Sequence, residues 1–225
     1  SVLVDNGDTI QGTPLGTYEA LINPVKKGQQ HPMYKAFTTL RYDAASLGNH
    51  EFNYGLDYLN QVIYAAGLPI VNANVLDAKT GKHYFNPYVI IPKTFTDTNG
   101  RQVTVNIGIT GIVPPQIMNW DKANLEGKVK TIDAVQAVEA VAQEMRAQGA
   151  DIVVVMSHSG IGDNDYVQGE ENVGYKLASA KGIDAVVTGH AHAEFPSGNG
   201  TGIYEKIPGV DGVNGKINGI PVTMG

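Results

Sequence analysis

The sequence predicts an α/β domain in which β-strands alternate with helices. Short β-branched runs, of which residues 152–156 are the clearest, have the composition of buried strands. Amphipathic helical patterns, above all at residues 131–148, separate these runs. Strands and helices that alternate along a chain are typical of a layered α/β fold.

In the N-terminal part of the chain we predict three strands, two helices and one long loop. Each strand is a short apolar run that ends in a turn, and both helices show apolar residues at three- and four-residue spacing. Gly67 ends the second helix. The predicted elements are a strand at 2–4, a turn at 5–8, a loop rich in Gly and Pro at 11–30, a helix at 32–41, a strand at 44–47, a helix at 56–66 and a strand at 69–71.

The remainder of the chain continues the alternation. Thr131 is the predicted N-cap of the clearest helix, and Gly149 ends it. The strand at 152–156 is apolar on both faces, which is typical of a central strand. The predicted elements are a hairpin of strands at 84–91 and 103–109 with a turn at 96–100, a helix at 131–148, a strand at 152–156, a helix at 174–180, a strand at 183–188, and loops with a last strand at 220–225.

Composition limits the classes of function. The 225 residues, 42% hydrophobic and 17% charged, form either one large domain or two small ones with a real core. A net charge of −6 without a basic cluster argues against a nucleic-acid polymer as partner. The absence of cysteine excludes disulfides and thiolate sites. No apolar run reaches the length of about 18 residues that a membrane span requires.

Side chains that can ligate a metal follow four of the predicted strands. They are Asp8, the pair Asn49 and His50, His158, and the pair His190 and His192. Because ligands bind at the carboxyl ends of strands in α/β sheets, we expect these side chains to meet at equivalent places on adjacent strands. Each motif alone also fits an ordinary turn, but together they form an oxygen and nitrogen ligand set. Such a set suits Mn²⁺, Fe²⁺, Co²⁺ or Zn²⁺ better than Ca²⁺ or Mg²⁺.

The same motifs resemble the signature of the calcineurin-like metallophosphoesterases. They are Gly7-Asp8, Gly48-Asn49-His50-Glu51, Ser157-His158 and Gly189-His190-Ala191-His192. Within that superfamily, residues 6–15 and 114–121 resemble the bacterial bifunctional 2′,3′-cyclic-nucleotide 2′-phosphodiesterase/3′-nucleotidases of the 5′-nucleotidase-like family. The resemblance implies an α+β sandwich of four layers, with mixed β-sheets flanked by helices.

A site with two divalent ions, Mn, Zn, Fe or Co, is also implied by the resemblance. Asp8 is expected to bridge both ions. Asn49, His158 and His190 are expected to complete one ion, and His192 is expected to bind the other. The first motif of the family, Asp-x-His, occurs nowhere in the 225 residues, so we expect the second metal site to be incomplete.

His50 is expected to be catalytic together with Asp8 and Asn49, and not to bind metal. The resemblance implies that a metal-bound hydroxide attacks phosphorus in line, while the histidine steadies the phosphate and protonates the leaving oxygen. Glu51 is expected either to orient Asn49 or His50 or to be a solvated turn residue. Asn53 stands where many 5′-nucleotidases have an aspartate that pairs with the histidine.

Three further side chains complete the sequence-based expectations. His31 and His83 have no partner motif, so we expect both on the surface. Trp120 either lines the mouth of the site or packs in the core.

The implied function is hydrolysis of nucleoside 2′,3′-cyclic phosphates and nucleoside monophosphates. The alternatives are a 5′-nucleotidase or UDP-sugar hydrolase, and a non-catalytic metal-binding fragment. Residues 1–225 are expected to form a single catalytic domain that is incomplete at both ends. The parts that the resemblance leads us to expect outside these residues are the first Asp-x-His strand and a C-terminal nucleotide-binding domain. The resemblance also implies a periplasmic, cell-wall or secreted protein, although the sequence shows no export signal.

Overall fold

The computed structural model describes all of residues 1–225 and contains twelve strands in three sheets. In chain order the strands are β1 (Val4–Asp5), β2 (Ala44–Ser46), β3 (Ile70–Val71), β4 (Val75–Asp77), β5 (Tyr88–Thr96), β6 (Gln102–Ile112), β7 (Val129–Thr131), β8 (Ile152–Ser157), β9 (Ala185–Thr188), β10 (Val210–Asp211), β11 (Lys216–Ile217) and β12 (Ile220–Met224). The prediction of strands that alternate with helices is confirmed.

Seven α-helices connect these strands. They are α1 (Pro14–Thr17), α2 (Pro32–Leu40), α3 (Leu56–Tyr64), α4 (Ile117–Trp120), α5 (Lys122–Leu125), α6 (Ala134–Ala147) and α7 (Gly174–Leu177). A π-helical segment, Tyr18–Ile22, continues α1, and a 3₁₀ helix, Asn49–Phe52, follows β2. None of the helices combines the length and the apolar character needed to cross a bilayer.

The two larger sheets differ in their pairing. The large sheet has the order β10-β11-β12-β9-β8-β6-β5, with β12, β9, β8 and β6 parallel and β5 antiparallel at one edge. The small sheet has the order β1-β2-β3 and is entirely parallel. A separate antiparallel ribbon pairs β4 with β7. The parallel strands of each sheet therefore direct their carboxyl ends to a common edge.

Three hydrophobic cores show that the two sheets pack face to face. Ala44 and Val71 of the small sheet share a core with Ile107, Ile109 and Met156 of the large sheet. The helices α2 and α3 cover the outer face of the small sheet, and α6 and α7 cover the outer face of the large sheet. The order is therefore helix, sheet, sheet, helix, and the predicted four-layer α/β sandwich is confirmed.

Strand β8 shows why a run apolar on both faces is needed here. Val153 and Val155 point to the core beneath α6, whereas Met156 points to the core between the sheets. Side chains alternate between the faces of a strand, so a strand buried on both sides must be apolar throughout.

Some element boundaries differ from the predictions. The predicted loop at 11–30 contains α1, which begins with Thr13 as N-cap and Pro14 at its first position, a favourable start for a helix. The helix predicted from 131 begins at Ala134, and its N-cap is Asp133. Thr131 is not the cap because it pairs with Val75 in the β4–β7 ribbon.

Candidate metal centre and active site

The candidate ligands lie at strand ends of both sheets. Asp8 follows β1 and Asn49 follows β2 in the small sheet, whereas His158 follows β8 and His190 follows β9 in the large sheet. The residues were expected on adjacent strands, and this holds only within each sheet, where β1 neighbours β2 and β8 neighbours β9. The face-to-face packing of the two sheets brings their carboxyl edges together, so the site lies between the sheets.

Unusual backbone conformations occur at three of the predicted site residues. Asp8, His190 and His192 have φ values of 61°, 65° and 51°, in the left-handed region that residues other than glycine rarely adopt. Such conformations persist where the surrounding structure imposes them, and they cluster at functional sites.

The Asp8–His158 pair directs two lone pairs at each other. The Nδ1 atom of His158 lies 2.7 Å from the carbonyl oxygen of Asn6, which accepts only, so Nδ1 carries a proton. The Nε2 atom is buried and lies 3.0 Å from the Oδ2 atom of Asp8, without a standard hydrogen bond. In the neutral ring both atoms are acceptors, and a cation between them resolves the conflict.

The two pKa values show how strongly this pair is coupled. Burial alone lowers the pKa of His158, but the close contact with the Asp8 carboxylate and its negative charge outweigh burial and raise it. Burial alone raises the pKa of Asp8, but the close contact with the His158 ring and its positive charge when protonated lower it. Asp8 and His158 therefore stabilise each other's charged form, and the site favours a positive charge beside the Asp8 carboxylate.

His190 repeats the arrangement with a different partner. Its Nε2 atom lies 2.8 Å from Oε1 of Glu171, a carboxylate that can only accept, so Nε2 carries a proton. In the neutral ring its Nδ1 atom then presents a lone pair 3.0 Å from Oδ1 of Asn49. A carboxylate behind a metal-ligating histidine is the usual outer support of such a ligand. Glu171 belongs to no motif, so the sequence analysis missed it.

The four candidate ligands form two pairs, Asp8 with His158 and Asn49 with His190, and do not surround a single point. No group of three or more His, Cys, Asp and Glu side chains is placed to hold a metal ion by itself. However, the rings of His158 and His190 are 5.5 Å apart, and both line an open cavity of ≈ 270 Å³ together with Asp8. With the amide oxygen of Asn49, the donors are two oxygens and two imidazoles, a set that fits a divalent transition ion.

His192 lies at the same cavity but makes fewer contacts. Its side chain is exposed and has no hydrogen-bond partner. Trp120, which the sequence assigned either to the site mouth or to the core, is 47% exposed and stacks on the ring of His190, with centroids 5.6 Å apart. Trp120 therefore lies at the mouth of the site.

Sequence comparison agrees with this geometry. The sequence profile of the family described as calcineurin-like phosphoesterase matches residues 1–194. The chain belongs to the calcineurin-like phosphoesterase family. The prediction of this family from the four motifs is confirmed.

Individual relatives place this phosphoesterase more closely. It is 50% identical over 224 residues to the 2′,3′-cyclic-nucleotide 2′-phosphodiesterase/3′-nucleotidase of Salmonella typhimurium, and this match covers all of the chain but 34% of that relative. The 5′-nucleotidase of Vibrio parahaemolyticus is 27% identical over 164 residues, which are 72% of this chain and 26% of that protein. The matched residues thus span about a third of the first of these relatives and about a quarter of the second.

A solved structure has nearly the same fold as this phosphoesterase. The calcineurin-like phosphoesterase YfkN from Bacillus subtilis matches with a TM-score of 0.93 and 45% sequence identity. The match covers 99% of this chain and 66% of that chain. This agreement confirms the predicted fold.

Glu51 holds the two ligand-bearing loops of the small sheet together. It is fully buried, so it is not a solvated turn residue. One carboxylate oxygen accepts from the backbone N–H groups of Gly48 and Asp8 at 2.5 and 2.7 Å, and the other accepts from those of Thr9 and Ile10 at 2.5 and 3.2 Å. Burial, with a smaller effect of the Asp8 charge, raises the pKa of Glu51.

Gly48 allows the loops to approach this closely. A Cβ atom at this position would lie 2.7 Å from the backbone nitrogen of Asp8 and 2.7 Å from Cε1 of His158, which is closer than non-bonded atoms approach. The absence of a side chain is therefore required for Asp8 and His158 to meet.

His50 lies beside the candidate ligands. Its backbone N–H donates to Oδ1 of Asp8 at 2.8 Å, and its Nδ1 atom lies 2.7 Å from Oδ1 of Asn53. The ring is thus held by Asn53, at the position where the resemblance places an aspartate in many 5′-nucleotidases.

The expected surface position of His31 is wrong, whereas His83 is exposed as expected. His31 is fully buried and caps α2, because its Nδ1 atom accepts from the backbone N–H of Met33 at 3.2 Å. Burial lowers the pKa of His31 to about 4. The sequence signal was Pro32, which is favourable at the first position of a helix and marks the preceding residue as the cap.

Proposed function

We propose that this domain hydrolyses phosphoesters of nucleotides, namely nucleoside 2′,3′-cyclic phosphates and nucleoside monophosphates, with the help of a divalent metal ion. The observation that carries the proposal is the pair of opposed acceptor atoms on Asp8 and His158, which Asn49 and His190 repeat. The substrate class is supported by the 50% identity to a relative named for these reactions. That relative is about three times as long, so the activity of a whole protein is part of the proposal.

The residues of this chain have distinct roles in the proposed reaction. Asp8, Asn49, His158 and His190 would hold one ion, and Asp8 and His192 would contribute to a second. When bound, such ions lower the pKa of water and neutralise charge on the phosphate. Manganese, zinc, iron and cobalt all suit these donors.

His50 is proposed to act on the leaving group. Its backbone N–H donates to Asp8 and its Nδ1 atom faces Asn53, which supports a role for the ring beside the metal ligands and not among them. A protonated imidazole there steadies the phosphate and donates its proton to the leaving sugar oxygen as the bond from phosphorus to that oxygen breaks.

A 5′-nucleotidase or UDP-sugar hydrolase is the second candidate. It is favoured by the match to a 5′-nucleotidase, but identity falls there to 27% and covers 72% of the chain. A non-catalytic metal-binding fragment is the third. The backbone hydrogen bond from His50 to Asp8 argues against it, because a purely structural metal site has no use for an adjacent histidine that is not a ligand.

Further parts of the proposal rest on the family resemblance. Residues 1–225 are proposed to act as one catalytic domain, to which a C-terminal nucleotide-binding domain adds affinity for the base. A location in the periplasm, in the cell wall or outside the cell is proposed on the same ground. The match to only 34% of a relative's length is compatible with additional domains.

The deciding experiment is hydrolysis of 2′,3′-cyclic AMP by the chain with added Mn²⁺. Asp8→Asn should reduce turnover by about 100-fold or more, because it removes a charged ligand and not merely an outer support. Asp57→Asn, at an exposed aspartate on α3, is the control with the same change of charge and should leave turnover unchanged. Equal rates in the wild type and Asp8→Asn would contradict the proposal. Faster turnover of 5′-AMP or a UDP-sugar than of the cyclic ester would favour the second candidate.

A further inference from the structure

A chain of hydrogen bonds connects His50 to a carboxylate on a different segment. The Nδ1 atom of His50 lies 2.7 Å from Oδ1 of Asn53. The Nδ2 atom of Asn53 donates to both carboxylate oxygens of Asp121, at 3.1 and 3.0 Å. Asp121 is 9% exposed, so the interaction is shielded from water. Position 121 lies in the segment 114–121 that resembles the bifunctional enzymes.

The carboxylate determines the direction of every bond in this chain. An ionised carboxylate only accepts, so the amide of Asn53 must turn its Nδ2 group toward Asp121. Its Oδ1 atom then faces His50 and can also only accept. The proton of the neutral His50 ring is consequently fixed on Nδ1, and the lone pair lies on Nε2.

The surrounding contacts keep the carboxylate in place. Asn124 donates from Nδ2 to the carbonyl oxygens of Phe52 and Asn53 at 3.0 and 3.1 Å. Its backbone N–H donates to the carbonyl oxygen of Asp121 at 2.9 Å. The segment that carries Asp121 is thus bound directly to the 3₁₀ helix that carries His50, and the relative position of the two groups is defined.

We propose that Asp121 is a positioning residue for His50, acting through Asn53, and that it reserves Nε2 of the ring for the substrate. The proposal rests on the proposed function of His50 as the group that protonates the leaving oxygen. It also explains why asparagine is tolerated at position 53. The carboxylate that many 5′-nucleotidases have at this position is replaced by that of Asp121, which acts through the side-chain amide of Asn53.

The direct test is the tautomer of His50, observed by ¹⁵N NMR at a pH where the ring is neutral. The wild-type chain should show the proton on Nδ1. In Asp121→Asn the amide of Asn53 is free to turn around, so the His50 signals should shift toward a mixture of tautomers. Asp57→Asn, the exposed control, should leave them unchanged. An unchanged tautomer in folded Asp121→Asn would overturn the proposal.

A double variant distinguishes the loss of the carboxylate from a disturbance of the fold at position 121. Asn53→Asp combined with Asp121→Asn exchanges the carboxylate and the amide. The carboxylate now at position 53 would accept from Nδ1 of His50, and the amide now at position 121 would donate to that carboxylate. The exchanged pair should restore the wild-type tautomer, which would show that the mixture in Asp121→Asn comes from the missing carboxylate and not from a fold disturbed by asparagine at position 121. A folded double variant with a mixed tautomer would overturn the proposal.

Kinetics separate this proposal from the proposed function. Asp121→Asn should lower kcat for 2′,3′-cyclic AMP roughly 10- to 100-fold with little change of KM, as outer supports of active-site groups do. The loss should be much smaller for bis(4-nitrophenyl) phosphate, whose leaving group departs as a stable anion and needs no proton. Equal losses for both esters would overturn the proposal. If the wild type hydrolyses neither ester, the proposed function fails, and the NMR result still decides whether Asp121 fixes the ring.

Discussion

The Nε2 atom of His158 lies 3.0 Å from the Oδ2 atom of Asp8, and the carbonyl oxygen of Asn6 fixes the proton on the other ring nitrogen. Two groups from different sheets thus share one small volume in which, under the proposed function, a cation would bind both. On that proposal the folded chain, and not the unfolded one, is the form that takes up a divalent ion.

Manganese should therefore stabilise the chain against urea. At a free concentration about 100 times Kd, an ion that binds only the folded state adds roughly 2.7 kcal/mol to the free energy of unfolding. His158→Ala should abolish most of this gain, whereas His83→Ala, at an exposed histidine, should preserve it. The measurement is urea unfolding with Mn²⁺ and with EDTA. An equal gain in both variants would show that the ion binds elsewhere.

Glu51→Gln should destabilise the fold strongly. Each carboxylate oxygen of Glu51 accepts two backbone N–H bonds, and the substitution replaces one oxygen with an amino group. Two buried N–H donors then face another donor, which costs about 2 to 4 kcal/mol. Glu126→Gln, whose carboxylate is 71% exposed beside Lys122, should change the free energy of unfolding by less than about 0.5 kcal/mol. Similar urea midpoints for the two variants would contradict this role of Glu51.

Gly48→Ala should separate Asp8 from His158. The new methyl group would meet both residues, so we expect a loss of about 1 to 3 kcal/mol in stability together with weaker protection by Mn²⁺. Gly81→Ala is the control, because Gly81 has a φ of +69° but no atom within 4 Å of a new Cβ. The control should cost about 1 kcal/mol of backbone strain and leave Mn²⁺ protection intact. Unfolding curves with and without Mn²⁺ distinguish the two, and full protection in Gly48→Ala would refute the steric argument.

Acidification should destabilise the chain through His31. The pKa of this residue is about 4 in the folded chain and about 6.5 in the unfolded chain, so between these values the unfolded chain binds more protons. The free energy of unfolding should therefore fall as the pH decreases from about 6.5 to 4, by roughly 3 kcal/mol from this group. His31→Asn keeps a side-chain acceptor at the N-cap but does not titrate, so its profile should be flatter. His83→Asn should retain the wild-type slope, and a wild-type slope in His31→Asn would contradict the assignment.

The residues that follow strands were predictable from the sequence because local patterns specify them. The apolar run of β8 and the polar residues directly after it fix His158 at a strand end, and the same holds for Asp8 after β1 and His190 after β9. These signals depend on neighbours in the chain, which is the information that a single sequence contains.

Contacts between distant segments were not predictable in this way. Whether β1 and β8 belong to one sheet or to two facing sheets depends on which strands pair, and no local pattern states that. Glu171 contacts His190 from a loop that no motif marks. Asp121 lies in the segment 114–121 that carries the resemblance, but no local pattern states that it accepts from Asn53. His31 was misplaced because a histidine can bury itself when its ring caps a helix, and its polarity alone gives no sign of this.

The location of the site between two sheets also bears on the order of events in folding. Asn6 and His158 are separated by 152 positions, and their contact exists only after both sheets have formed and docked. Contacts between residues so far apart in sequence close large loops, which is slow. We therefore expect the ligand set to assemble after the transition state, so that a bound ion slows unfolding without accelerating folding. With the ion bound, the domain would stay folded for longer because its unfolding rate is lower, and not because it refolds faster.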